Sequence, residues 1–170
     1  MSVHRPANTN NYAFIDGQNL HKAIKAIGWD LDYRRFRIYL KEKYGVAMAY
    51  IVMGYIPSNA DLYTALQSYG YILIFKPILT YKDGTVKGNC DADLVLHTMI
   101  NINEYAQAVI VSGDGDFQSL IKYLRDENKL RMLLVPNKDK YSSLLNKAAA
   151  DKIAFISDQK EKLQYKKTPR

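Results

Sequence analysis

The chain has 170 residues, 24 Lys and Arg against 17 Asp and Glu, 48% hydrophobic residues and one cysteine. That length suits a single domain with a full core, and the hydrophobic fraction excludes a disordered chain. Cys90 alone excludes an internal disulfide and any cysteine-based zinc finger or ribbon. Residues 1–11 are polar, without the apolar run of a secretory signal. The longest apolar stretch, Gly45 to Pro57, falls short of the ~20 residues of a membrane helix. A cytoplasmic protein without a membrane partner is the expectation.

The net charge of +7 is weighted toward the end of the chain, where Lys160, Lys162, Lys166, Lys167 and Arg170 face only Glu161. Excess cations favour polyanions through counterion release, and a solubilising tail accounts for the same composition. The expected partition is a polar segment over 1–11, one domain over 12–158, and a basic tail over 159–170 whose order the sequence leaves open.

In chain order, Tyr12–Ile15 is a short strand-like run, and Leu20, Ile24 and Ile27 recur at helical spacing over Gln18–Ile27. Asp32 reads as the N-cap of a helix carrying Phe36 and Leu40 that ends near Gly45. Val46–Met53 is nearly all apolar, as in a strand buried on both faces. A helix over Asn59–Ser68 and a strand over Ile72–Phe75 follow. Lys82-Asp83-Gly84-Thr85 then supplies a turn within an excursion over Leu79–Val86. The remaining elements are a helix over Asp91–Ile102, a strand over Ala108–Val111, a helix over Phe117–Asn128, a strand over Met132–Val135, a helix over Tyr141–Ala149 and a strand over Ile153–Ile156. Strand–helix alternation of this kind predicts an α/β fold with a mainly parallel central sheet and helices on both faces. Ligands in such folds bind beyond the carboxyl ends of the strands, at the switch point.

Three aspartates occupy those ends. Asp16 closes the first strand in Phe14-Ile15-Asp16-Gly17-Gln18-Asn19, while Asp114 and Asp116 follow the fourth long strand in Ser112-Gly113-Asp114-Gly115-Asp116-Phe117. If those strands flank the switch point, the carboxylates converge. Two of them about 4 Å apart repel by roughly 4 kcal/mol at an effective dielectric of 20. A hard divalent ion, Mg²⁺ or Mn²⁺, is the natural counter-charge. Taken singly, each aspartate reads as readily as a helix cap or turn former. Asp91 and Asp93 open the Asp91–Ile102 helix about 200° apart, so both cannot serve one site; Asp91 is preferred as a ligand, with Asp93 peripheral.

The blocks Phe14-Ile15-Asp16-Gly17-Gln18-Asn19, Lys87-Gly88-Asn89-Cys90-Asp91 and Ser112-Gly113-Asp114-Gly115-Asp116-Phe117 resemble, in order, the three signature blocks of the NYN domain family. That family lies in the PIN-like nuclease superfamily, and the resemblance is to its bacterial LabA-like branch, from Tyr12 to Ile156. It implies a three-layer α/β/α sandwich of PIN-like, Rossmann-like form and metal-dependent ribonuclease activity. It also implies Mg²⁺ or Mn²⁺ on Asp16, Asp91, Asp114 and Asp116, with Asn19 orienting water or phosphate. Asp93 departs from the pattern, since related sequences often carry Glu there. Substrate RNA would be held by Lys87, Lys22, Lys82, Arg34 and Arg35, with Lys25 and Arg37 nearby and Tyr55 and Tyr81 as stacking surfaces. An ordinary solvated face explains the arginines equally well.

No compelling general base is found, His21 and His97 being the only interior histidines. Cys90 is expected to pack under its helix, and Ser112 to bond a ligand carboxylate or backbone groups. Walker, nucleophile-elbow and His-Glu-x-x-His motifs are lacking. The rival readings are an RNA-binding or regulatory module that keeps the acidic pocket without turnover, and an interaction scaffold forming a homodimer through tyrosine-rich faces.

Overall fold

A computed structural model describes residues 10–84, 86, 87 and 90–167, with the backbone alone for Val86 and Lys87. Six strands form one sheet: β1 (Asn11–Asp16), β2 (Val46–Tyr55), β3 (Tyr71–Pro77), β6 (Ala108–Val111), β7 (Leu130–Val135) and β8 (Ile153–Phe155), in the order β3-β2-β1-β6-β7-β8. Every pairing in it is parallel. The chain builds outward from β1 on one side, then crosses to β6 and builds outward on the other. The switch point therefore lies between β1 and β6, the condition on which the convergence of the aspartates depends. Two short strands, β4 (Leu79–Thr80) and β5 (Val86–Lys87), pair antiparallel and form the expected excursion.

Alternation along the buried central strands divides the core into two layers. Tyr12 and Phe14 of β1 and Ile110 of β6 point to one face, where they meet Leu94, Phe117, Ile121, Leu124 and Leu145. These come from or adjoin α4 (Asp91–Ile100), α5 (Gln118–Asp126) and α6 (Leu144–Ala149). Ala13, Ile15, Val109 and Val111 point to the other face, against Leu20, Ile24, Phe36, Leu40 and Leu66. Those residues come from α1 (Gly17–Ala26), α2 (Tyr33–Tyr44) and α3 (Ala60–Ser68). Burying each such leucine, isoleucine or phenylalanine contributes about 1.5–3 kcal/mol. The result is the three-layer α/β/α arrangement.

Local signals place the helix ends. Asp32 accepts the Arg35 backbone N–H at 3.0 Å, and Gly45 closes α2 at φ +65°, a conformation that favours glycine. Two helix starts differ from the sequence reading. Residues 141–143 stay non-helical because the Ser142 N–H bonds to the Gly113 carbonyl at 3.2 Å, and Gly115–Phe117 forms a 3-10 turn before α5.

The outer boundaries differ as well. Asn11 belongs to β1, and its amide bonds the Tyr44 carbonyl at 2.7 Å and the Gln107 N–H at 3.1 Å. The segment set apart as a basic tail folds back: a 3-10 turn over Ile156–Gln159 leads into α7 (Lys160–Leu163). Leu163 is buried in the second core layer, Asp32 N–H donates to its carbonyl at 2.8 Å, and Tyr165 N–H donates to the Asp30 carbonyl at 2.8 Å. The charge run masked one apolar anchor, and packing extends past residue 158. Residues 1–9, 85, 88, 89 and 168–170 lie outside the described residues. Among those described, no helix is long and apolar enough to cross a membrane.

Candidate metal centre

Asp16 is at once the last residue of β1 and the N-cap of α1, its Oδ1 accepting the Asn19 backbone N–H at 3.2 Å. The helix can start this abruptly because residue 17 is glycine: a Cβ there would stand 2.9 Å from Ile51 Cγ2 and 3.0 Å from the Val52 carbonyl oxygen. Ser112, fully buried just past β6, donates its hydroxyl to Asp16 Oδ2 at 3.2 Å and accepts the Asp114 backbone N–H at 3.1 Å. Asn19 closes the same seam, its Oδ1 accepting the Gly113 N–H at 2.9 Å. Asp114 turns its own Oδ1 to the Asp116 N–H at 2.9 Å and so starts the 3-10 turn. A Cβ on Gly115 would collide with the Ser142 side chain, so this turn also depends on glycine.

The β1 and β6 ends are thus stitched together through side chains, and α4 brings a third carboxylate to them. Asp16, Asp91 and Asp114 each offer an oxygen atom, all within 4.8 Å of one another. Burial pushes the Asp91 carboxyl up to about 6, helped by the charges of Asp114, Asp16 and Asp116. Burial also raises Asp16, where the Asn19 N–H, the Ser112 hydroxyl and Lys22 pull the other way and Asp114 adds to the rise. Three oxygen donors of one sign, with no imidazole or thiolate among them, suit a hard divalent cation.

Not every sequence expectation meets at this point. Asp116 is exposed and outside the close trio, facing Asp91, with which it shares a side-chain hydrogen bond. Asp93 pairs instead with Lys76 at 3.6 Å, as its opposite helix position requires. The Asn19 carbonyl end is committed to the Gly113 N–H. Lys22 is exposed on α1 and acts electrostatically on Asp16. Lys82 is exposed in the β4–β5 turn, and the Lys87 side chain lies outside the described residues.

Arg35 pairs with Asp32 at 3.5 Å and reaches the Lys162 carbonyl, while Arg37 bonds the carbonyls of Val46, Ala47 and Gly70. These two arginines bind the fold together. Arg34 is exposed beside them. Tyr55 stacks on Tyr63, and Tyr81 is exposed. Cys90, the N-cap residue of α4, is buried, and burial raises its thiol, which leaves it a poor nucleophile. His21 is exposed on α1, and His97 is half-buried on α4.

The NYN domain family model matches residues 12–157, and the chain belongs to that family. It is 30% identical over 122 residues to the low amplitude and bright protein LabA of Synechococcus elongatus, a match spanning 66% of each protein. The crystal structure of a Vibrio parahaemolyticus protein of unknown function is similar at a TM-score of 0.77 and 21% identity, covering 96% of this chain and 100% of that one. The second likeness shows the fold. The family and the aspartate trio together suggest a nuclease-like function.

Proposed function

We propose that this NYN-domain protein is a cytoplasmic, metal-dependent ribonuclease that hydrolyses RNA phosphodiester bonds at the β1–β6 switch point. The observation that carries the reading is the convergence of Asp16, Asp91 and Asp114 from three separate elements onto one point. These residues would hold Mg²⁺ or Mn²⁺, with Asp116 at the rim of the same acidic group. A bound divalent ion would lower the pKa of a water and offset charge on the scissile phosphate.

The chain's own groups do the positioning. Ser112 fixes the face that Asp16 presents, and the Asp114 side chain is oriented by its bond to the Asp116 N–H. Asp91 gives up a proton near pH 6 to become a full donor. Lys22, and Lys82 and Lys87 on the β4–β5 excursion, would draw the RNA backbone toward an otherwise negative centre, which the net charge of +7 favours.

The test is cleavage of labelled single-stranded and structured RNA with Mn²⁺ or Mg²⁺ by wild type, Asp16→Asn and Asp91→Asn. Cleavage by wild type alone, with folding and RNA binding kept in the variants, supports the reading. RNA binding by wild type without cleavage in either metal replaces it with a binding module.

A further inference from the structure

Beside the carboxylates lies a second concavity that the reaction above does not use. A pocket of about 680 Å³ opens between α1 and α3, starting at Gly17 and Gln18, the two residues that directly follow Asp16. That size falls within the usual range for small-ligand sites. Its walls are apolar, with Met53 and Ile24 inside and Ile56 and Leu62 at the mouth, where both are more than 40% exposed (42% and 45%). The α3 wall is held in place, since the Tyr63 hydroxyl accepts the Ile56 N–H at 2.9 Å and donates to the Gly54 carbonyl at 3.4 Å.

Polar groups enter this apolar space from two sides. Gln18, His21 and Lys22 share one face of α1 at i, i+3 and i+4. Asn59 enters from the start of α3, where it occupies the N-cap position without making a capping bond. The one acid in the lining, Asp30, is paired with Lys25 at 3.1 Å. Lys22 acts on Asp16 as well as bordering the pocket, so it spans the two sites.

We propose that this pocket binds one nucleotide of the RNA strand, its base between the apolar walls and its phosphate turned toward Lys22 and the carboxylates. The assignment of the strand as RNA rests on the ribonuclease reading. Amides and an imidazole around an apolar slot are the groups that recognise the edges of an unstacked base. A lipid chain would leave those groups unmatched, and a bare anion would not need the apolar walls. The nucleotide held here would be a neighbour of the cleaved phosphodiester, so the pocket would set base preference at the cut.

Trp29, the only tryptophan in the chain, lines the pocket and reports its occupancy without metal or catalysis. Its fluorescence would be followed in EDTA while pentaribonucleotides of each base, and separately octanoate, are added. Saturable quenching by the pentaribonucleotides is expected. It should weaken about tenfold in Leu62→Glu, which places an acid at the exposed mouth, and about fivefold in Lys22→Ala, with thermal midpoints unchanged. Asn59→Ala should reorder the four bases. No quenching by RNA, quenching by octanoate alone, or wild-type affinity in both charge variants would overturn the pocket. Cleavage of RNA by a protein whose Trp29 ignores RNA would leave the ribonuclease reading intact and remove only this inference. Quenching without cleavage in any metal would do the reverse.

Discussion

The two halves of the acidic centre are held in different ways. On the β1–β6 side, Asp16 is buried but receives a backbone N–H and a hydroxyl, both of which favour its ionised form. On the α4 side, burial and three neighbouring carboxylates all act to keep the Asp91 proton on. Both carboxyls are raised by burial, but the two donors offset part of that rise at Asp16, whereas Asp91 keeps its proton up to about pH 6. The contrast separates two requirements of a carboxylate site: fixed geometry from the sheet, and a charge state that changes when the ion arrives.

The largest effect should come from removing charge on the β1–β6 side. Asp16→Asn keeps the shape and the cap acceptor, yet RNA cleavage should fall by more than ~100-fold, beyond the usual cost of losing only a supporting contact. A rate within a few-fold of wild type would remove Asp16 from the centre. Ser112→Ala comes next. It frees Asp16 Oδ2 and strips the Asp114 N–H of its acceptor, at about 1–3 kcal/mol for the unsatisfied group. Metal affinity and cleavage should drop by about 10–100-fold, read by calorimetry and kinetics.

A pH series addresses the other half. The Asp91 value lies above the ordinary carboxylate value, so its contribution to the stability of the metal-free protein is complete below pH 3.8 and is lost as pH rises through about 6. A cation competes with that proton. Added Mn²⁺ should therefore raise the thermal midpoint much more at pH 7 than at pH 5, and Asp91→Asn should flatten the difference. Equal gains at both pH values would contradict the proton-storage account.

The smallest effect is expected two residues away. Asp93→Asn loses a partly exposed ion pair with Lys76 worth under about 1 kcal/mol, and cleavage should change less than twofold. A large loss there would mean that α4 presents both acids.

The sequence showed the sheet plainly. Val46–Met53 and Ala108–Val111 are unbroken apolar runs, and the alternation with amphipathic helices leaves little choice of architecture. Helix geometry alone shows that Asp91 and Asp93 cannot both serve one site. Other features depend on distances that spacing does not encode. The Asn19–Gly113 bond joins residues on either side of the switch point, and Asp116, in the 3-10 turn, lies outside the close trio. For the cluster of Arg34, Arg35 and Arg37, RNA contact and a solvated face fit the sequence equally, because the carbonyl partners of Arg35 and Arg37 are not written in it. Leu163 was overlooked among lysines for the same reason. The pocket between α1 and α3 has no linear signature, since its lining comes from four stretches of chain.

The most direct measurement is a calorimetric titration of the metal-free protein with Mn²⁺ at pH 7, set beside Asp16→Asn and Asp91→Asn. The account predicts saturable binding in wild type and its loss in both variants while the fold is retained. Absence of binding in wild type, or binding of unchanged strength in the two variants, would contradict the claim that these carboxylates form a metal centre.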